Sequence, residues 1–242
     1  DDLANRRHDT DLLLDQNYST KGAARYDGLV PDRAQRLCGP GYALLNPVYA
    51  EYRQQLAART GKVARVLVFF GGTDPENLTG MALETLATPV LRHLAVDVVV
   101  GANNPHRDAL KAQARAHSDI TLHGPRPHLA DLIAAADLAL GAGGTTTWER
   151  CCLGLPSLVV SIADNQRPAC EALAGDGLIA YAGHCDGIDA ERLRAMLTEL
   201  VADPARLQKM ATAGSETVDG NGSWRVALAL FTQNNGGIEP WP

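Results

Sequence analysis

Ten residues near the middle of the chain, Gly141-Ala142-Gly143-Gly144-Thr145-Thr146-Thr147-Trp148-Glu149-Arg150, combine the groups that hold a phosphate and a sugar. Glycines allow a sharp turn with positive φ and let a ligand approach the backbone. The first turn of a helix has N–H groups without intrahelical partners and a partial positive charge, so it attracts anions. Three threonines add hydroxyl donors and candidate N-caps. A glutamate one turn into the helix can accept from two neighbouring sugar hydroxyls. An ordinary βα turn with a capped helix offers the same residues with no ligand, since glycine-rich loops are common. Gly71-Gly72-Thr73-Asp74 is a second glycine turn, and Gly101-Ala102-Asn103-Asn104 a third polar one.

These turns need elements to carry them. Apolar runs at 65–70, 96–100, 120–123, 137–141, 156–162 and 178–180 read as strands. Helices are expected between them: after the first two turns to about Ala87 and His117, then over 127–135, from the threonine run to Gly154-Leu155-Pro156, and over 167–175. Three further helices are expected over 189–201, 204–213 and 223–231. Strands that are nearly continuous in apolar residues and alternate with helices predict an α/β fold, a parallel sheet with helices on both faces. Ligands of such sheets bind beyond the strand C-termini, where all three turns fall. No GxGxxG fingerprint and no Walker loop occurs. Upstream, 11–15 reads as a strand, and Tyr18 to Pro47 is too broken by Gly and Pro for a long element. A helix is expected from Val48 to Arg59, opened by Pro47 and stopped at Gly61. Residues 1–60 are therefore expected to be the tail of an N-terminal domain plus a connector, 61–232 a Rossmann-like domain, and 233–242 a frayed tail.

The chain has 242 residues, 45% hydrophobic and 21% charged, the balance of a soluble globular protein. A formal net charge of −6 and the lack of a Lys/Arg-rich run argue against a nucleic-acid partner. No apolar run has the length of a membrane span and no signal peptide is seen, so no membrane partner and a cytoplasmic location are expected. The first residue is Asp rather than Met, which suggests that something upstream is missing. The five cysteines lack zinc or redox spacing and read as reduced, mostly buried thiols. Seven scattered histidines show no ligand spacing. Neither a metal nor a cofactor is expected.

Five runs together resemble a known family: Cys38-Gly39-Pro40-Gly41-Tyr42-Ala43-Leu44-Leu45, Phe70 to Asn77, Gly101-Ala102-Asn103-Asn104-Pro105, Gly141 to Leu155, and Ala163-Asp164-Asn165-Gln166. They resemble the UDP-2,4-diacetamido-2,4,6-trideoxy-β-L-altropyranose hydrolases of pseudaminic acid biosynthesis, N-terminally truncated. The resemblance implies the C-terminal half of a GT-B fold plus a remnant of its N-terminal domain. It also implies a UDP-sugar substrate and metal-independent water attack at the anomeric carbon. The family's base is a His in an N-terminal glycine-rich loop; none of the seven histidines matches it, so no catalytic residue is assigned and the chain alone is expected to be inactive. Glu149 is expected to hold the nucleotide through ribose hydroxyls. Gly143, Gly144, Thr145, Thr146 and Thr147 are expected at the pyrophosphate, with Gly71, Gly72 and Thr73 facing the same cleft. Asn77 is a matched substrate position, and Asn165 and Gln166 could read sugar or acetamido groups. Against these stand plain readings: an exposed polar Asn77, and helix caps at Asn165 and Gln166.

Two alternatives accompany the hydrolase. A UDP-sugar glycosyltransferase of GT-B fold, like the lipid II-forming N-acetylglucosaminyltransferase, shares the donor-binding half. A non-catalytic sugar-nucleotide binding module is the third.

Overall fold

The computed structural model of the chain describes residues 1–234. A small sheet pairs β1 (Leu12–Asp15) with β2 (Gln35–Cys38) in parallel. The main sheet is built from β3 (Arg65–Phe69), β4 (Ala95–Val99), β5 (Ile120–His123), β6 (Leu138–Ala142), β7 (Ser157–Ser161) and β8 (Ala180–His184). Its order is β5-β4-β3-β6-β7-β8, every pair parallel.

Side-chain alternation divides the core in two. Val66, Val68, Val96, Val98, Leu138, Leu140, Leu158 and Val160 point to one face. They pack there with α2 (Leu78–Leu86), α3 (Arg107–Arg115), α7 (Ala190–Val201) and α8 (Pro204–Thr217). Leu67, Val99, Ala139 and Val159 point to the other face, against α1 (Val48–Gln55), α4 (Ala130–Ala135), α5 (Thr146–Cys152) and α6 (Arg167–Gly175). Strands apolar on both sides are what a sheet sandwiched between helices requires. Local signals fix the helix starts: Asp189 accepts from the Arg192 amide at 2.8 Å and Asp203 from the Arg206 amide at 2.9 Å, with Pro204 at the first position of α8. Among the described residues no helix is long and apolar enough to cross a membrane.

The strand order reverses between β3 and β6, and chains leave these neighbours toward opposite faces. That leaves a crevice beyond their C-terminal ends. Gly71–Asp74 follows β3 and Gly143–Thr145 follows β6, so the two glycine turns flank it.

Several elements differ from the sequence expectation. The broken stretch contains β2, whose mixed residues Gln35-Arg36-Leu37-Cys38 form a strand because β1 offers an edge. Helix α1 ends at Gln55; beyond it Arg59 donates to the carbonyls of Ile133, Ala136 and Leu153, tertiary bonds that hold this segment out of a helix. Strand β8 begins at Ala180, where 178–180 was expected, and a register shift near Gly183, with φ +114°, masks its pattern. Helix α8 runs on to Thr217 and α9 spans Gly222–Asn234, two residues into the expected tail; 235–242 lie outside the described residues.

Candidate functional site

None of Gly141, Gly143 and Gly144 adopts positive φ, contrary to the turn expected there. Glycine is needed at 143 for another reason: a Cβ would overlap the Cys170 sulfur of α6. The threonines do not cap either. Thr145 occupies the N-cap in a helical conformation with no side-chain bond. Thr147 Oγ1 accepts from Arg150 Nη2 at 2.9 Å, and the same nitrogen donates to the Ala142 carbonyl at 2.8 Å. Arg150 is thus a buried tie between β6 and α5, and burial lowers its pKa. The amides of Gly144, Thr145 and Thr146 donate to no carbonyl among the described residues.

Helix α5 presents its expected site residues on two sides. On one, Gly143, Gly144 and Thr145 share a cavity of about 400 Å³ with Asn165 and Gln166. Gln16 and Asn17, which follow β1, line it too. Gln166 does not cap α6: its Oε1 accepts from the Ile162 amide at 2.9 Å, fixing its amide group beside Gly143 and Gly144. Asn165 is exposed.

On the other side lie Thr146 and Glu149. Thr146 borders Phe69, at the end of β3, and Leu129, before α4. The Glu149 carboxylate faces the hydroxyl of Tyr49 on α1, and each influences the other's protonation. That buried hydroxyl in turn accepts the Leu129 amide at 3.0 Å. One carboxylate oxygen, Oε2, is buried and has no hydrogen-bond partner. Burial raises the Glu149 pKa, offset in part by the Tyr49 hydroxyl and by Arg150 and His128 nearby. Tyr49 is pushed up as well, by burial first and by the Glu149 charge next. His128 Nδ1 is a further buried atom without a partner.

The β3 turn completes the crevice. Gly71 has φ +96°, a conformation that favours glycine, and Gly72 and Thr73 are exposed. Asp74 caps α2 from behind, accepting the Leu78 and Thr79 amides at 2.9 Å each. Asn77 is half-buried, not the exposed polar residue of the plain reading. It sits in the left-handed region, φ 54° and ψ 39°, with Oδ1 buried and unpartnered. Asn103 and Asn104 have no positive φ; Asn104 is structural, its Oδ1 accepting the His106 amide at 2.8 Å. His106 Nε2 meets the Pro75 carbonyl at 2.9 Å, and His123 Nε2 meets Asp97 at 2.7 Å, so both are satisfied structural histidines. Trp148 is buried. Tyr49 and His128 were not singled out from sequence. Tyr49 lies in the stretch read as a connector, and its role exists only through contacts with 129 and 149.

No family model matches the chain. It is 27% identical over 194 residues to the spore coat polysaccharide biosynthesis protein SpsG of Bacillus subtilis, covering 79% of this chain and 57% of that protein. It is 25% identical over 170 residues to the UDP-2,4-diacetamido-2,4,6-trideoxy-beta-L-altropyranose hydrolase of Campylobacter jejuni, covering 70% and 59%. It is 32% identical over 212 residues to the UDP-N-acetylglucosamine–N-acetylmuramyl-(pentapeptide) pyrophosphoryl-undecaprenol N-acetylglucosamine transferase of Xanthomonas axonopodis, covering 81% and 48%. The chain thus spans about half the length of these curated relatives. Among solved structures, Acinetobacter baumannii MurG superposes with a TM-score of 0.62 at 17% identity, over 91% of this chain and 66% of that one. WaaG, a glycosyltransferase involved in lipopolysaccharide biosynthesis, gives 0.55 at 20% identity, over 89% and 61%. The α/β fold is that of the GT-B glycosyltransferase structures.

Proposed function

We propose that this chain binds the UDP moiety of a UDP-sugar in the crevice between the β3 and β6 turns, with Glu149 accepting the ribose hydroxyls. One observation carries the reading: Glu149 Oε2 is buried without a hydrogen-bond partner, in a carboxylate that faces the Tyr49 hydroxyl. A buried unpaired carboxylate oxygen is costly, and a ligand hydroxyl would complete it. In this reading Gly71, Gly72, Thr73, Gly144, Thr145 and Thr146 surround the diphosphate. Gly143, Asn165 and Gln166, together with Asn77, border the sugar.

The proposed reaction is hydrolysis of a UDP-linked diacetamido-trideoxy sugar to free sugar and UDP. Water attacks the anomeric carbon, and the base comes from outside these residues. Residues 1–60 then connect an N-terminal domain to the nucleotide-binding residues 61–232. The Campylobacter relative supports this. Transfer of the sugar to an acceptor hydroxyl is at least as well supported, by the Xanthomonas relative and the shared MurG fold.

Titration calorimetry of the 242-residue protein against UDP, CDP and NAD tests the binding. Weak binding that favours UDP is expected, with no UDP released from a nucleotide sugar; equal or absent binding overturns the proposal. Glu149→Ala should remove about 1.5–3 kcal/mol, the range for a hydrogen bond to a charged group. That is roughly 10- to 150-fold in affinity. In a longer protein, UDP release in water alone marks the hydrolase, and release only with an added acceptor marks the transferase.

A further inference from the structure

Strand β8 ends on His184, and the chain continues into a short 3-10 turn, Cys185–Gly187. Three unlike donors converge there. His184 Nε2 lies 3.6 Å from Cys185 Sγ. Cys185 Sγ lies 3.6 Å from Asp186 Oδ1. Asp186 Oδ2 lies 3.6 Å from His184 Nε2. A tetrahedral zinc ion with bonds of about 2.0–2.3 Å has edges between its ligands of roughly 3.3–3.8 Å. One ligand atom from each side chain lies within 4.8 Å of the other two, so small side-chain rotations bring the three to one face of such a tetrahedron. Imidazole, thiolate and carboxylate are also donors that zinc-class ions accept together.

The imidazole is oriented from behind. His184 Nδ1 is 3.0 Å from the Ser161 hydroxyl, which is 2.7 Å from the Tyr181 hydroxyl. Ser161 is fully buried at the end of the neighbouring strand β7, so the ring is held by the sheet. With the proton on Nδ1 donated to Ser161, Nε2 presents its lone pair toward Cys185 and Asp186. A second hydrogen bond of this kind is what orients metal-ligating histidines. The side chain of His184 is 10% exposed and that of Asp186 78%, so the cluster has a protein-backed side and an open one. Arg167 forms an ion pair with Asp164 at 3.0 Å and a looser one with Asp186 Oδ2 at 3.8 Å, which a bound ion would displace. Glu76, before α2, places another negative charge near Cys185.

We propose that His184, Cys185 and Asp186 form a three-ligand site for a zinc-class divalent ion, with a fourth position open to water. On binding, the thiol proton of Cys185 leaves to solvent and the sulfur coordinates as thiolate. The sequence expectation of no metal rested on spaced ligand motifs. Three consecutive residues meet here because the strand end and the 3-10 turn fold their side chains together. The site shares no residue with the Glu149 crevice.

Untagged protein, stripped with chelator, is titrated with Co(II) and then Zn(II). One Co(II) per chain is expected, with a thiolate-to-cobalt charge-transfer band that Zn(II) abolishes. Cys185→Ser should eliminate the band, while Cys38→Ser, at the other partly exposed thiol, should keep it. His184→Gln should weaken Co(II) binding at least tenfold, and Ser161→Ala roughly 10- to 100-fold, the usual cost of losing an orienting partner. A wild-type protein without the band, or a band that survives Cys185→Ser, overturns the proposal. UDP affinity, measured on the same Cys185→Ser protein, should be unchanged, so the metal site and the nucleotide crevice stand or fall separately.

Discussion

Glu149 meets two opposed demands. A carboxylate is the form that accepts from two hydroxyls, yet burial disfavours its charge. Its folded-state pKa lies above the unfolded value. Its contribution to stability is therefore complete below the unfolded pKa and is lost as pH rises through the folded one. Glu149→Gln should consequently raise Tm at neutral pH, with the gain vanishing in acid, while UDP affinity falls. A Tm unchanged at both pH values would remove the argument. Wild-type UDP affinity should also weaken on acidification at a higher pH than for an ordinary glutamate, because the carboxylate protonates early; calorimetry across the acid range reads this. Tyr49→Phe keeps the packing of a buried ring but leaves the Leu129 amide unpaired and removes the hydroxyl that Glu149 faces. It should cost about 1–3 kcal/mol in a denaturant melt and should weaken UDP binding alongside.

At the scale of elements, packing rather than φ explains the β6 turn. Gly143→Ala pushes a methyl against Cys170, and overpacking of this kind costs about 1–3 kcal/mol. The double variant with Cys170→Ala should recover much of that loss, and additive losses would refute the contact. Three strands are joined at one carboxylate as well: Asp97 on β4, buried, accepts from Arg65 of β3 and hydrogen-bonds His123 of β5, each at 2.7 Å. Removing one partner of a fully buried pair costs about 3–5 kcal/mol. Arg65 is 43% exposed and keeps water as a substitute, so Asp97→Asn should fall at or below that range in a urea titration. The free thiols Cys151, Cys152 and Cys170 are held protonated by burial, near about 12, 11 and 11, which fits packing and not reactivity.

For the whole molecule, strand order decides where a ligand can sit. The reversal between β3 and β6 opens a crevice flanked by Gly71–Asp74 and Gly143–Thr145. These turns are about seventy residues apart in sequence and become neighbours because Phe69 pairs with Gly141. The same packing brings α1 from the N-terminal stretch onto α4 and α5, which is how Tyr49 reaches Glu149.

The sequence by itself determined the fold class, the parallel sheet and the strand-end position of the glycine turns. Apolar strands alternating with helices leave few other arrangements. The position of Glu149 one turn into a helix was legible because helix starts are signalled locally. Tertiary structure alone decided the rest. It placed Gly143, Asn165 and Gln166 on one side of α5 and Thr146 and Glu149 on the other, supplied Tyr49 and His128, and turned Thr147 toward Arg150. It also drew β2 out of a stretch with no strand pattern and gathered His184, Cys185 and Asp186 around one point. These outcomes depend on partners distant in the chain, or on a turn whose geometry the neighbouring strand sets, and residue type and spacing carry neither.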